Sequence, residues 1–502
     1  MNEEAKFLAI DLGAESGRAL LGCFDGEQVT LKEIHRFPNE PVQLIDGPHW
    51  DVLSIFREIK EGLAKAAAQA GRLESVGVDS WAVDFALLGR EGALVSNPLN
   101  HRDPRMEGMV EKAFERVPKE EIYETTGIQF IRINTLYQLL AMQGSPLLEA
   151  AESLLLIPDL MNYWLTGEKA CEFTNATTTQ LYGLEAGGWA QDLLQKMSLP
   201  VDVFPRIVPP ATALGPLLPE VAEEVDLGAQ LPVVTVASHD TASAVVAVPA
   251  EGDNFAYVSS GTWSLVGIES RQPVVTQEAM DANFTNEGGF KGRTRFLKNV
   301  MGLWLLQECR RVWAQEGQEY SYEELTRLAE EAPASGPLVD PDHPSFLAPG
   351  DVPSRIQRFC EATDQRPPEE VGQVARCIFE SLALKYRWVV EQAQEIAGQN
   401  VDVIHIVGGG SQNSLLCQLT ADATRLPVLA GPVEATALGN VMVQAYSRGH
   451  VESLEEIRAV VCRSTEIDRY APGGDAGEWD ELWEKFSGVL DTSQTVDNLE
   501  GG

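Results

Sequence analysis

The chain has 502 residues, 44% of them hydrophobic and 23% charged, with 75 acidic against 38 basic side chains and a formal net charge of −37. That length exceeds one ordinary core and points to two domains. So acidic a chain disfavours a nucleic-acid backbone or an anionic membrane as partner, while a small anion held by backbone amides and Mg2+ stays compatible with it.

The acidic start over residues 1–6 lacks the apolar core of a signal peptide, and no run of eighteen apolar residues predicts a membrane span. Seven scattered cysteines with no C-x-x-C spacing read as thiols of a reducing cytoplasm rather than zinc ligands. Cys360 and Cys377 bracket one loop and a helix start, so a local bridge between them stays open.

Residues 7–10 form a compact apolar strand leading into Asp11-Leu12-Gly13-Ala14-Glu15-Ser16-Gly17-Arg18, and a second strand over 19–24 follows at once. The pattern predicts a hairpin whose Gly13 and Gly17 are free to take positive φ and let amides approach an anion. Asp11, at the strand end, is placed to hold a hydrated divalent metal. Residues 50–68 carry Ile55, Ile59 and Leu63 at helical spacing. Residues 75–85 read as a strand, a break and a second strand, with Trp81 and Asp84 suited to one sugar face and its hydroxyls or, equally, to a buried Trp beside a turn. A polar loop with His101-Arg102-Asp103 follows, then a helix entered at Pro158-Asp159, then a hydroxyl-rich patch over 174–180.

The apolar run 231–236 predicts a short buried strand ending at Ser238-His239-Asp240-Thr241. Ligands of open α/β sheets bind beyond the carboxyl ends of the strands, which makes Asp240 the candidate proton acceptor; as a plain helix N-cap it would look the same. Residues 245–253 are small and Pro- and Gly-containing, as a hinge would be. Residues 254–258 and 265–268 are strands around Ser259-Ser260-Gly261-Thr262-Trp263-Ser264, a second strand–Gly/hydroxyl turn–strand unit half a chain after the first. The repetition suggests a duplicated domain.

Asn299 reads as the N-cap of a helix carrying Leu303, Leu306 and Arg310, with Gln307 on its surface or against a nucleotide. The longest amphipathic helix is predicted over 369–397, stopped by Gly398. A strand over 401–407 then meets Gly408-Gly409-Gly410 and a helix start, a place for a nucleotide, although Asn413 stands where a dinucleotide fingerprint needs glycine. Residues 434–440 open a small-residue helix able to pack closely. The polar tail from Leu490 to Gly502 is expected to be disordered.

P-loop, H-E-x-x-H, G-x-S-x-G and protein-kinase signatures are absent. Four runs taken together, Gly77-Val78-Asp79-Ser80-Trp81-Ala82-Val83-Asp84, Ser238-His239-Asp240-Thr241, Phe284-Thr285-Asn286-Glu287-Gly288-Gly289 and Phe296-Leu297-Lys298-Asn299-Val300-Met301-Gly302-Leu303-Trp304, resemble the FGGY sugar kinases. The resemblance extends over about residues 7–461. It implies an α/β fold of two actin-like (ribonuclease H-like) domains with a cleft between them: residues 1–247 with the sugar site and base, 254–461 with the nucleotide site, and an extension over 462–502.

The resemblance also implies ATP-dependent phosphorylation of a ketose, L-rhamnulose before L-fuculose or xylulose, on its primary hydroxyl. An actin- or chaperone-like ATPase is the reading from another class, which would not need the sugar-facing set. Asp240 would be the base, with Trp81, Ala82, Asp84, His239, Thr241 and Asn299 at the sugar. ATP would lie against Ala14, Glu15, Ser16, Gly17, Arg18, Thr262, Gln307 and Gly409, with Mg2+ held by Asp11 through water. Relatives commonly carry a small hydroxyl residue where Glu15 stands. An acid there is tolerable if it points outward or toward Mg2+.

Overall fold

The structure is a computed structural model that describes residues 4–493. It divides into two compact units interleaved along the chain: residues up to 251, 269–296 and 435–465 in the first, 252–268, 297–434 and from 466 in the second.

In chain order the elements that matter are β1 (Ala5–Leu12), β2 (Ser16–Phe24), β3 (Val29–Pro38), α1 (Val52–Ala70), β4 (Ser75–Ser80), α2 (Ile157–Thr166), α3 (Phe173–Thr178), β5 (Ala213–Pro216), β6 (Pro232–Val234) and α4 (Asp240–Val246). There follow β7 (Phe255–Ser260), β8 (Trp263–Ser270), β9 (Thr285–Gly288), β10 (Thr294–Met301), α5 (Trp304–Gln315), α6 (Val371–Ala397), β11 (Val403–Val407), α7 (Ser414–Thr424), β12 (Val428–Ala430), α8 (Ala435–Ser447), α9 (Leu454–Ser464), β13 (Asp468–Tyr470) and α10 (Ala476–Ser493).

The first unit is built on the sheet β5-β6-β4-β1-β2-β3. β1 pairs antiparallel with β2 and parallel with β4, so it is covered on both edges. Its burial is nearly continuous, as expected of a central strand with covered faces. α1 starts where the Asp51 carboxylate accepts the Ser54 amide and lays Ile55, Ile59 and Leu63 into the core. The second unit repeats the plan: β7 pairs antiparallel with β8 and parallel with β11, and β11 with β12. The duplication inferred from two similar turns is thus a duplication of sheet topology. α6 buries Val374, Ile378, Leu382, Tyr386, Val389 and Ala393 and ends at Gly398 in the left-handed region.

Several expectations change. Residues 294–301 are a strand, so Asn299 is not a helix cap; α5 begins at Trp304, whose amide is satisfied by the Thr262 carbonyl at 3.1 Å. The strand expected over 231–236 is only Pro232–Val234, and residues 245 and 246 complete α4. Neither Gly13 nor Gly17 has positive φ. Gly17 is needed because a Cβ there would sit 2.2 Å from the Phe37 ring. Leu490, Asp491, Thr492 and Ser493 finish α10, held by an apolar face of Trp479, Leu482, Phe486 and Val489; the rest of the expected tail, 494–502, lies outside the described residues. Cys360 and Cys377 are both free thiols, and among the described residues no helix is long and apolar enough to cross a membrane.

Candidate active site

Three carboxylates gather in the first unit. Asp11 ends β1, and parallel pairing places Asp79 of β4 directly beside it. Asp240 is the first residue of α4, and the segment before it is tied to β4 by the Ser80 amide donating to the Ser238 carbonyl at 2.9 Å. Arg18 answers this charge with a 2.5 Å ion pair to Asp11. The Asp79 carboxyl accepts the Asn440 amide at 2.6 Å through one oxygen, while its other oxygen is buried without a hydrogen-bond partner. Burial first, then the neighbouring Asp11, push its pKa well above the usual carboxylate range, with Asp240 adding to this.

Asp240 is a third exposed, its side chain showing 33% of its surface. One oxygen accepts the Thr241 amide at 2.5 Å and faces His239 Nε2 at 3.4 Å. Its pKa is raised by burial and by Asp11, against the hydrogen bonds from Thr241. The carboxylate is reachable and its pKa is raised, two properties that suit a general base.

Glu172, at the start of α3, holds this segment. Its fully buried carboxylate accepts the Thr174 amide and hydroxyl, the Asn175 amide, and both the amide and hydroxyl of Ser238. Behind His239 stand Arg295 and Glu287: Arg295 Nη2 lies 3.0 Å from His239 Nδ1 and 3.0 Å from Glu287 Oε2.

The predicted sugar residues divide. Ala82 is partly exposed, and next to it Val83 is held at φ 67°, an outlier for a β-branched residue. Asp84, by contrast, is buried and already engaged. The indole N–H groups of Trp50 and Trp81 donate to it at 2.7 and 2.9 Å, His101 Nδ1 lies at 2.7 Å, and Gln138 donates at 3.2 Å. The two indoles and His101 all meet Oδ2 and Gln138 alone meets Oδ1, so this buried carboxylate anchors Trp81 and His101. Thr241 is buried beside Asp240, while Asn299 falls on β10 in the second unit.

Among the predicted nucleotide residues, Ala14, Glu15, Ser16, Gly17 and Arg18 do form or follow the β1–β2 turn, closed by the Gly13 amide on the Ser16 carbonyl at 2.9 Å. Glu15 is exposed, which removes the objection to an acid at that turn. In the second unit the Gly261–Thr262 turn receives the amides of Gly302, Leu303 and Trp304. Gln307 of α5 has a buried, unpartnered Oε1, and Gly409 is exposed at the end of β11 with open space over its Cα. Gly408 and Gly410 pack so closely on Ser260 that a Cβ on Gly410 would lie 2.0 Å from its hydroxyl.

Asp79, Glu172, Glu287, Arg295, Val83 and His101 were missed as site residues. Asp79 had a readable signal, a charge inside an otherwise apolar strand run; the others depend on contacts far apart in sequence.

Family models for the N- and C-terminal domains of the FGGY family of carbohydrate kinases match residues 6–247 and 256–448. A rhamnulokinase of Bacteroides thetaiotaomicron is 43% identical over 96% of this chain and 99% of its own length. Rhamnulokinases of Halalkalibacterium halodurans and Oceanobacillus iheyensis are 43% and 41% identical over 92% of this chain and 98% of theirs. Among solved structures, a gluconate kinase from Lactobacillus acidophilus superposes with a TM-score of 0.80 at 18% identity, covering 98% of both chains. A xylulose kinase from the same organism gives 0.80 at 17% with the same coverage.

Proposed function

The chain belongs to the FGGY family of carbohydrate kinases, and from that premise we propose that it transfers the γ-phosphoryl group of ATP to the primary hydroxyl of L-rhamnulose, giving L-rhamnulose 1-phosphate. The observation that carries the chemistry is Asp240: a reachable carboxylate whose proton affinity is raised by burial and by Asp11. The choice of sugar rests on three relatives, each 41–43% identical and each named rhamnulokinase.

Phosphoryl transfer asks for positioning and charge neutralisation more than for covalent help. Asp240 takes the proton of the attacking hydroxyl as the new P–O bond forms, and His239 and Thr241 orient the sugar beside it. Trp81, fixed by Asp84, offers an apolar face for the 6-methyl group, Ala82 offers its main chain, and Asn299 is assigned a sugar hydroxyl. Amides of residues 14–18 and the Arg18 side chain are assigned to nucleotide in the first unit, and Thr262, Gln307 and Gly409 in the second.

Among the described residues no three His, Cys, Asp or Glu side chains form a metal-binding group. Mg2+ suits the site nonetheless, because it retains waters and binds through one or two carboxylates plus substrate phosphates. Asp11 would hold it through water, and the ion would supply neutralisation of phosphate charge. Free cysteines fit a cytoplasmic enzyme with a small-molecule substrate.

The test is ADP release from ATP over a panel of ketoses and polyols with and without Mg2+. L-rhamnulose should give the highest kcat/KM, with L-fuculose and D-xylulose lower. A different best substrate would refute the sugar assignment, and ADP release indifferent to every sugar would refute the reaction.

A further inference from the structure

His239 stands beside Asp240, but its own protonation is set from behind. Arg295 is fully buried, its Nε donates to the Gly288 carbonyl at 2.9 Å, and its Nη2 donates to His239 Nδ1 at 3.0 Å. A guanidinium has donors only, so the lone pair of Nδ1 must face it. A proton on Nδ1, whether in the other neutral tautomer or in the imidazolium, would set two N–H groups against each other in a buried space. Glu287 Oε2 lies 3.3 Å from Nδ1 and would favour that proton, but it is ion-paired with the same Nη2 at 3.0 Å.

We propose that Arg295, backed by Glu287, is a positioning residue that holds His239 as the neutral Nε2–H tautomer, so that the site presents one fixed donor next to the acceptor Asp240. His239 Nε2 lies 3.4 Å from Asp240 Oδ1, too long for that contact to saturate the donor. The N–H is therefore free to reach a substrate oxygen. Resting on the kinase reading of Asp240, this donor would hold a second oxygen of the substrate while Asp240 takes the proton of the attacking hydroxyl. The charged groups facing the imidazole are Asp240 on α4, Glu287 on β9 and Arg295 on β10. Thr174 Oγ1 accepts the His239 amide at 3.3 Å.

Histidine-selective 15N labelling of the full chain, with His239→Gln to assign the signal, reads the tautomer without any activity. The expected spectrum shows an unprotonated Nδ1 and a protonated Nε2. In Arg295→Met the Nδ1 proton should appear, paired with Glu287, and kcat/KM should fall about 100-fold; a wrong tautomer can cost up to ~10⁴ where the histidine is itself the base. Arg295→Lys keeps a donor and should restore the tautomer and part of the rate.

A wild-type Nδ1 proton would overturn the proposal, as would an Arg295→Met enzyme that keeps the Nε2–H form or a normal kcat/KM. Should Arg295→Met fail to fold, the wild-type and Arg295→Lys spectra still decide. Should no sugar be phosphorylated, the tautomer is read all the same, so the two failures are told apart.

Discussion

Gly439 sits inside α8, and the residue it faces is Ser243 in the helix that begins with Asp240. A Cβ at Gly439 would lie 1.8 Å from the Ser243 carbonyl oxygen and 2.6 Å from its carbon, both main-chain atoms. That is roughly 1.5 Å inside ordinary van der Waals separation. α8 is not free to retreat, because Asn440 donates to Asp79 at 2.6 Å and Gln444 to the Leu8 carbonyl at 3.0 Å. α4 must move instead, and Asp240 with it. For Gly439→Ala, helix propensity alone favours alanine by about 1 kcal/mol. Overpacking costs about 1–3 kcal/mol and belongs at or above the upper end when backbone is struck. The net expectation is a loss of about 2 kcal/mol, a Tm lower by about 4–8 °C at the sensitivity of a large domain, and kcat lower by about 10²-fold for a ~1 Å displacement of the base. Gly488 in α10 is the matched control: it is exposed with nothing within 4 Å of its added Cβ, so Gly488→Ala should gain up to about 1 kcal/mol. Differential scanning calorimetry and steady-state kinetics measure both. A Gly439→Ala enzyme as stable and as fast as the parent would refute the packing argument.

Asp240→Asn should lower kcat by about 10²–10⁴-fold while leaving thermal unfolding near that of the parent, as measured by coupled ADP release and calorimetry. Because burial raises the Asp240 pKa, kcat/KM of the wild type should fall with acidification at a pH above the ordinary carboxylate range; an acid limb at or below that range would contradict the assignment. Glu172→Gln can keep an oxygen toward the four donors on Oε2 but sets its N–H₂ against the Thr174 amide on the other side, so it should destabilise by about 1–3 kcal/mol and lower kcat through Ser238, checked by urea unfolding and kinetics. Lys298 is buried near Lys385, and its pKa is lowered to about 8 by burial and then by that second lysine. Above about pH 8 the unfolded chain binds the extra proton and stability rises with pH; below it the cost of charging Lys298 is present in full. Lys298→Met should therefore help stability most at pH 7 and progressively less toward about pH 10, and equal effects at both would oppose this.

Local chemistry made much of the fold readable. The two turns joining paired apolar strands, the long helix stopped by Gly398, the glycines after β11 and the small residues of α8 each announce themselves within a few positions, because period, turn and close approach are short-range properties. Asn299 misled for the same reason: its intrinsic preference for a cap was overruled when residues 294–301 entered a sheet and the Thr262 carbonyl capped α5.

What could not be read is the support behind the reactive group. His239 and Asp240 are visible as a motif, whereas the tie from Glu172 to Ser238 joins residues 66 apart, that from Arg295 to His239 spans 56, and Asn440 reaches Asp79 across 361. Asp79 apart, none of these partners carries a pattern of its own, and each becomes meaningful only once folding has buried it. Burial is also what gives them consequence, since an ion or amide removed from water must find its partner or cost stability. The visible motif therefore states which atoms react, and the distant, silent partners decide in which protonation state and position they do so.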